Sequence, residues 1–175
     1  AKYLYQEAIN IVSSEASPKA IAVIVNRVRT AKLVYQHLYK DYGSRTHLMI
    51  GRMRPFDRDE LTSRLQRLFA SGADRNSLEA PHFVVATQCL EVGADFDFDA
   101  MISECASIDA LRQRFGRLNR TGRDIHVAGA VVITEQDEAG KKPDPIYGEA
   151  LAATWKWLNT NATNDRIDFG ICSMD

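Results

Sequence analysis

AIAVIV, residues 20–25, is six apolar residues in a row with no polar alternation. A run so short and continuous suits a strand buried on both faces, as a parallel sheet requires. Working outward, THLMI (46–50), HFVVA (82–86), AMIS (100–103) and GAVVIT (129–134) predict four more strands. The intervening segments show helical spacing. Residues 30–42 place Ala31, Val34, Leu38 and Tyr42 on one stripe and stop at Gly43; a helix opening at Phe56 or Asp57 turns Leu61, Leu65, Leu68 and Phe69 inward. A helix over 3–14 precedes them. Another over 147–158 follows, with Leu151, Thr154, Trp155 and Leu158 inward, and a short strand at 166–169 closes the pattern. Strands alternating with helices predict an α/β fold: a mainly parallel sheet with helices on both faces.

Composition sets the frame for this pattern. The chain has 175 residues, 45% of them hydrophobic, enough to build one core and to exclude a disordered or fibrous chain. Formal net charge is −1, yet the charges are unevenly spread. Five arginines fall between residues 112 and 123 with no acid among them, and Arg45, Arg52, Arg54 and Arg58 form a second group. Acids gather at Asp95, Asp97 and Asp99, the last two reading as turn acids, and at 135–138. A near-neutral total is therefore compatible with a local anion site.

Cys89, Cys105 and Cys172 lack CxxC spacing, so neither zinc nor a disulfide framework is expected, and a reducing cytoplasm is the natural setting. His37, His47, His82 and His126 are scattered, and no metal site is expected from them. No apolar run approaches the ~20 residues of a membrane span. The opening Ala1-Lys2 without methionine, and the stop at Asp175, suggest a piece of a longer polypeptide. Residues 1–145 are expected to form the main domain, and 146–175 a helix and tail leading onward.

In open parallel sheets ligands sit outside the carboxyl ends of the strands. Asn26 and Arg27 follow the first predicted strand, Gly51 and Arg52 the second, Thr87 and Gln88 the third, Glu104 and Cys105 the fourth. A helix from Ile108 carries Ile108, Leu111, Phe115 and Leu118 on one stripe. Continued through residue 120, it would hold Gln113, Arg117 and Arg120 within about 60° of one another on the opposite face. Gly116 would let a backbone or phosphate approach beside them.

The string QRFGRLNR, residues 113–120, resembles motif VI of superfamily-2 helicases, Q/H-R-x-G-R-x-x-R. The resemblance implies that Arg117 and Arg120 reach the γ-phosphate of ATP held by a partner domain, with Gln113 against the phosphates. A planar guanidinium suits that task, and one supplied across an interface is worth about 10³–10⁵ in rate. Arg114 is expected in structural or interdomain ion pairs. VVATQCLEVGADFDFD, residues 84–99, resembles motif V. By that match Thr87 meets a nucleic-acid phosphate, while Gly93 and Asp95 face the nucleotide and Glu91 supports either. A turn hydroxyl for Thr87, and an ion pair between Asp95 and a motif VI arginine, stand as alternatives.

Residues 23–38, VIVNRVRTAKLVYQHL, are similar to motif IV, which implies contacts from Asn26, Arg27 and Thr30 to a strand backbone. Helix capping is the competing role. GRMRPFDRDEL, 51–61, resembles the neighbouring segment, with Arg52 and Arg54 as backbone binders and Asp57 as helix cap.

The wider stretch ATQCLEVGADFDFDAMISECASIDALRQRFGRLNR is similar to the CRISPR-associated helicase-nuclease family of type I interference, and DPIYGEALAATWKWL and RIDFG continue the likeness. Many members have S-L-D where this chain has Gly93-Ala94-Asp95. The resemblance implies the second RecA-like domain of a motor that translocates on single-stranded DNA, next to a first domain that grips ATP and Mg²⁺. A CRISPR RNA-guided surveillance complex is the implied larger partner. The chain has no GxxxxGK[ST] loop and no DExH-type acid pair, so it is not expected to hydrolyse ATP by itself. An RNA helicase, a restriction-type translocase or a non-catalytic binding module remain alternatives. The absence of GxGxxG after the first strand argues against a dehydrogenase.

Overall fold

The computed structural model describes residues 1–14, 17–51, 53–90, 95–125, 128–132, 143–167 and 169. In chain order the elements are α1 (Lys2–Val12), β1 (Ala20–Ile24), α2 (Val28–Tyr42), β2 (Thr46–Met49), α3 (Pro55–Phe69), β3 (His82–Ala86), β4 (Ala100–Glu104), α4 (Ile108–Phe115), β5 (Ala128–Val132) and α5 (Ala150–Asn161). The five strands form one sheet in the order β2-β3-β1-β4-β5, every neighbouring pair parallel. The α/β prediction therefore holds, and β1 lies at the centre because its continuous apolar run has two faces to bury.

Those faces are distinct. Ile21, Val23 and Val25 meet Ala31, Val34 and Leu38 of α2 and Leu4 and Ala8 of α1. Ala20, Ala22 and Ile24 meet Leu65 and Phe69 of α3, with Phe96 and Phe98 alongside. Period-2 side-chain direction thus assigns each strand residue to a layer. A third cluster joins Ala110 and Leu111 of α4 to Leu151 and Leu158 of α5, with Tyr147 and Trp155 at its margin.

Differences from the predicted elements are local. Val28 rather than Thr30 opens α2, and Pro55 takes the first turn of α3, where its fixed φ suits the helix. Asp57 is not the cap: Arg54 holds the N-cap position without a side-chain bond, and the Asp57 carboxylate turns back onto the Arg54 guanidinium. The predicted strand at 166–169 is reduced to a bridge between Thr163 and Arg166, and Ile133, Thr134 and Asp168 lie outside the described residues. No helix among the described residues is long and apolar enough to cross a membrane.

Candidate functional site

At the carboxyl ends of the strands, Asn26 leaves β1 and is tied into β4. Its backbone N–H donates to Glu104 Oε2 at 2.6 Å, its Nδ2 donates to the Cys105 carbonyl at 2.7 Å, and its Oδ1 accepts from Arg114 Nη2 at 3.1 Å. Gln88 Nε2 donates to the Asn26 carbonyl at 3.1 Å. Arg114 is fully buried and also donates to Ser103 Oγ, the Glu104 carbonyl and the Tyr147 hydroxyl oxygen, each at 2.9 Å. A buried guanidinium must spend its donors this way. Asn26 is therefore placed as a joint inside the edge.

Thr87 follows β3 at the same edge and is 4% exposed; its N–H donates to the Met49 carbonyl at 3.2 Å and its hydroxyl lies 3.7 Å from Cys89 Sγ. Outward lie the more accessible groups. The Arg27 guanidinium, 46% exposed, pairs with Asp144 at 2.8 Å. Burial alone would raise the Asp144 carboxyl, but the N–H groups of Tyr147 and Ile146 and the Arg27 charge hold it below the usual range. Thr30 is half-buried in the first turn of α2. Arg54 is 84% exposed and grips Asp57 through two bonds of 2.7 and 3.0 Å. Beside it Phe56 is 77% exposed, a residue the periodicity treated only as a helix opener. The signal was available: Asp59 and Glu60 occupy the positions three and four residues on, so no apolar neighbour covers that ring. Arg52 lies outside the described residues.

The arginines lie elsewhere. Ser107 caps α4 by accepting from the Ala110 N–H at 3.4 Å, and the helix, starting beyond the carboxyl end of β4, runs back along the sheet. It stops at Phe115 instead of continuing to residue 120, which corrects the helical projection of Arg117 and Arg120. After Gly116 the chain pairs with the segment that leads into β4: Phe98 donates to the Arg117 carbonyl and accepts from the Asn119 N–H, both at 2.8 Å.

Two carboxylates impose this course. Asp97, fully buried, accepts the Arg120 N–H at 2.8 Å and the Thr121 hydroxyl at 3.2 Å, and faces Arg123 Nε at 3.1 Å. Asp99 accepts from the N–H groups of Lys19 and Ala20 at 2.9 Å and from Arg123 Nη1 at 2.8 Å. Arg75 completes the cluster, 3.6 Å from Asp99 and bonded to the Leu68 and Asp97 carbonyls. The reading of Asp97 and Asp99 as turn acids is thus corrected. Because Asp99 binds the first residues of β1 and precedes β4, this cluster marks the amino edge of the sheet. The candidate residues therefore fall in two groups at opposite edges of the sheet, joined by α4.

At the amino edge Arg120, 46% exposed, lies 3.2 Å from Asp95, itself 59% exposed and also bonded to Ser71 Oγ at 2.9 Å. The ion pair between Asp95 and a motif arginine is thus formed in this structure. Burial and the neighbouring Arg120 charge push the Arg117 guanidinium below its usual range, opposed by Asp95, so the three groups share one field. Gln113 is exposed on the last turn of α4. A Cβ on Gly116 would meet the Arg112 carbonyl at 3.1 Å, tighter than most such contacts. Gly93 and Glu91 lie outside the described residues.

A parallel sheet in this order, with a buried joint at one edge and an arginine loop at the other, is a RecA-like domain of the helicase C-terminal kind. A T. fusca Cas3 structure with ATP has this fold, with a TM-score of 0.72 at 22% identity over 91% of this chain and 20% of that one. The chain belongs to the family described as CRISPR-associated nuclease/helicase Cas3, C-terminal, whose profile matches residues 17–123, more than half of its length. The matched stretch contains every candidate residue from Asn26 to Arg120. The CRISPR-associated nuclease/helicase Cas3 of Methanothermobacter thermautotrophicus is 27% identical over 160 residues, 91% of this chain and 18% of that protein. A chain in a structure of a CRISPR RNA-guided surveillance complex, pre-nicking, has a TM-score of 0.63 at 25% identity over 87% of this chain and 20% of that one. This chain thus spans about a fifth of the length of such relatives.

Proposed function

We propose that this chain is the second motor lobe of an ATP-driven helicase that moves along single-stranded DNA in CRISPR interference. In this reading Arg117 and Arg120 are supplied to the γ-phosphate of ATP, the substrate gripped with Mg²⁺ by a first RecA-like lobe, and Gln113 and Asp95 line the same cleft. The observation that carries the reading is that the Arg120 side chain, at an accessible edge, is held among the described residues by an exposed partner, Asp95. Exposed ion pairs contribute about 0–1 kcal/mol, so exchanging Asp95 for a phosphate with more charge and more acceptors is cheap. Stabilising charge on the γ-oxygens is the main work phosphoryl transfer asks of a protein.

The carboxyl edge takes the other ligand. Arg27, Thr30, Arg54 and Arg52 would contact backbone phosphates without regard to sequence, while Thr87 and Asn26 shape the edge beneath them. The exposed Phe56 ring offers a stacking face for an unpaired base. Two ligands at two edges suit a motor, because α4 spans about 12 Å between them as a rigid strut. The likeness to a chain of a CRISPR RNA-guided surveillance complex supports that assembly as the larger partner.

The test uses the protein that carries both lobes. Arg120→Ala should abolish DNA-stimulated ATP turnover while leaving thermal unfolding and strand binding nearly unchanged. Undiminished turnover in that variant refutes the reading. Stimulation by single-stranded RNA but not by DNA would instead select the RNA-helicase alternative.

A further inference from the structure

We infer that Asp97 and Arg123 are positioning residues that fix the Arg117–Arg120 loop in the orientation the nucleotide requires; the inference rests on the arginine reading above. Nothing in the sequence pattern assigns Asp97 a part in the reaction, since it lies two residues beyond the motif V aspartate. Yet its carboxylate is buried and fully engaged by the arginine loop. One oxygen accepts the Arg120 backbone N–H at 2.8 Å; the other accepts the Thr121 hydroxyl at 3.2 Å and faces Arg123 Nε at 3.1 Å. Arg123 in turn joins Asp99 at 2.8 Å, and Asp99 is fastened to the first residues of β1. A chain of contacts therefore runs from the central strand to the Arg120 backbone.

The loop is closed from within as well. Asn119, at a φ of +45°, accepts the Arg123 N–H and donates to the Arg123 carbonyl, both at 2.9 Å. Arg120 thus sits between two fixed points, its backbone on Asp97 and its next turn on Asn119. Among the described residues its side chain has the exposed Asp95 contact to give up. A rigid stem with a releasable tip is what a group needs if it must meet transition-state charge without first searching for it. A displacement of about 1 Å in such a group costs about 100-fold in rate.

The experiment compares Asp97→Asn with Arg120→Ala in the two-lobed protein. Asparagine keeps an acceptor for the Arg120 N–H but turns a donor towards Arg123. Asp97→Asn should lower the turnover number about 10- to 100-fold with little change in the KM for ATP. It should weaken trapping of ADP with a metal-fluoride transition-state mimic by a similar factor, while a non-hydrolysable ATP analogue binds as before. A merely structural defect would lower the unfolding midpoint and weaken both ligands together, and that result overturns the inference. If Asp97→Asn fails to fold, Thr121→Val and Asn119→Gly carry the same test, since neither removes a buried charge. Wild-type turnover in both of those would also overturn it. The two readings fail separately: a silent Arg120→Ala sinks the arginine assignment, whereas a lethal Arg120→Ala with a silent Asp97→Asn sinks only the positioning role.

Discussion

Arg114 and His47 show how single buried polar groups are managed in this molecule. Arg114 feeds four acceptors, on the segment after β1, on β4 and on the segment before α5. Arg114→Met fills the volume but takes the charged donor away from buried Asn26 Oδ1 and Ser103 Oγ, and stability should fall on the order of 3 kcal/mol, read as a lower denaturant midpoint. His47 accepts from Arg64 Nη2 at 3.0 Å through Nδ1, stacks on His82 at 6.0 Å, and is held neutral, its pKa pushed down to about 4 by burial, Arg64 and His82. The unfolded imidazole takes its proton near 6.5, so between pH 6.5 and about 4 the unfolded state binds more protons. Stability is whole above pH 6.5 and declines as pH falls through that window. His47→Gln should flatten the fall relative to wild type in unfolding melts at pH 7, 5.5 and 4.5; parallel curves would refute this. Asp95→Ala, at an exposed pair, should move stability by under about 0.5 kcal/mol.

At the scale of elements, α4 is short because its neighbours end it. The carboxylates before β4 capture the residues that would have formed its next turn, and Leu118 bridges to Phe98 instead. Room for that exit comes from β5: a Cβ at Gly129 would lie 3.0 Å from Phe115 Cε1 and 3.4 Å from Leu118 Cδ2. Phe115 is backed by Phe169 at 4.9 Å, so it has little freedom to retreat. Gly129→Val should therefore destabilise by about 1–3 kcal/mol through overpacking and lower ATP turnover by shifting the arginine loop. Melts and turnover measured together check it; a variant as stable and as active as wild type would show that β5 does not constrain the loop.

For the whole molecule, separation of the two edges sets the behaviour. The 175-residue chain alone is expected to show no ATP turnover, and to gain it only alongside a first lobe that binds the phosphates. Strand binding through Arg27 and Arg54 should weaken with salt, the logarithm of the association constant falling by about 0.7 per phosphate contact against the logarithm of salt concentration. Replacing both arginines by alanine should flatten that slope by about 1.4, measured by fluorescence titration between 50 and 200 mM salt. An unchanged slope would remove those residues from the interface.

By itself the sequence determined the layers of this protein and the identity of its arginine motif. Apolar runs of five or six residues can be satisfied only between two helical layers, and QRFGRLNR carries its chemistry in its residue types. Tertiary structure alone decided where α4 stops, that Asn26 turns inward to Arg114, and that the arginines occupy the edge opposite Thr87. Those outcomes depend on partners far apart in the chain, such as Ala20 with Asp99 and Asn26 with Arg114. Local periodicity holds no record of a carboxylate that arrives from about 80 residues away to claim a backbone N–H.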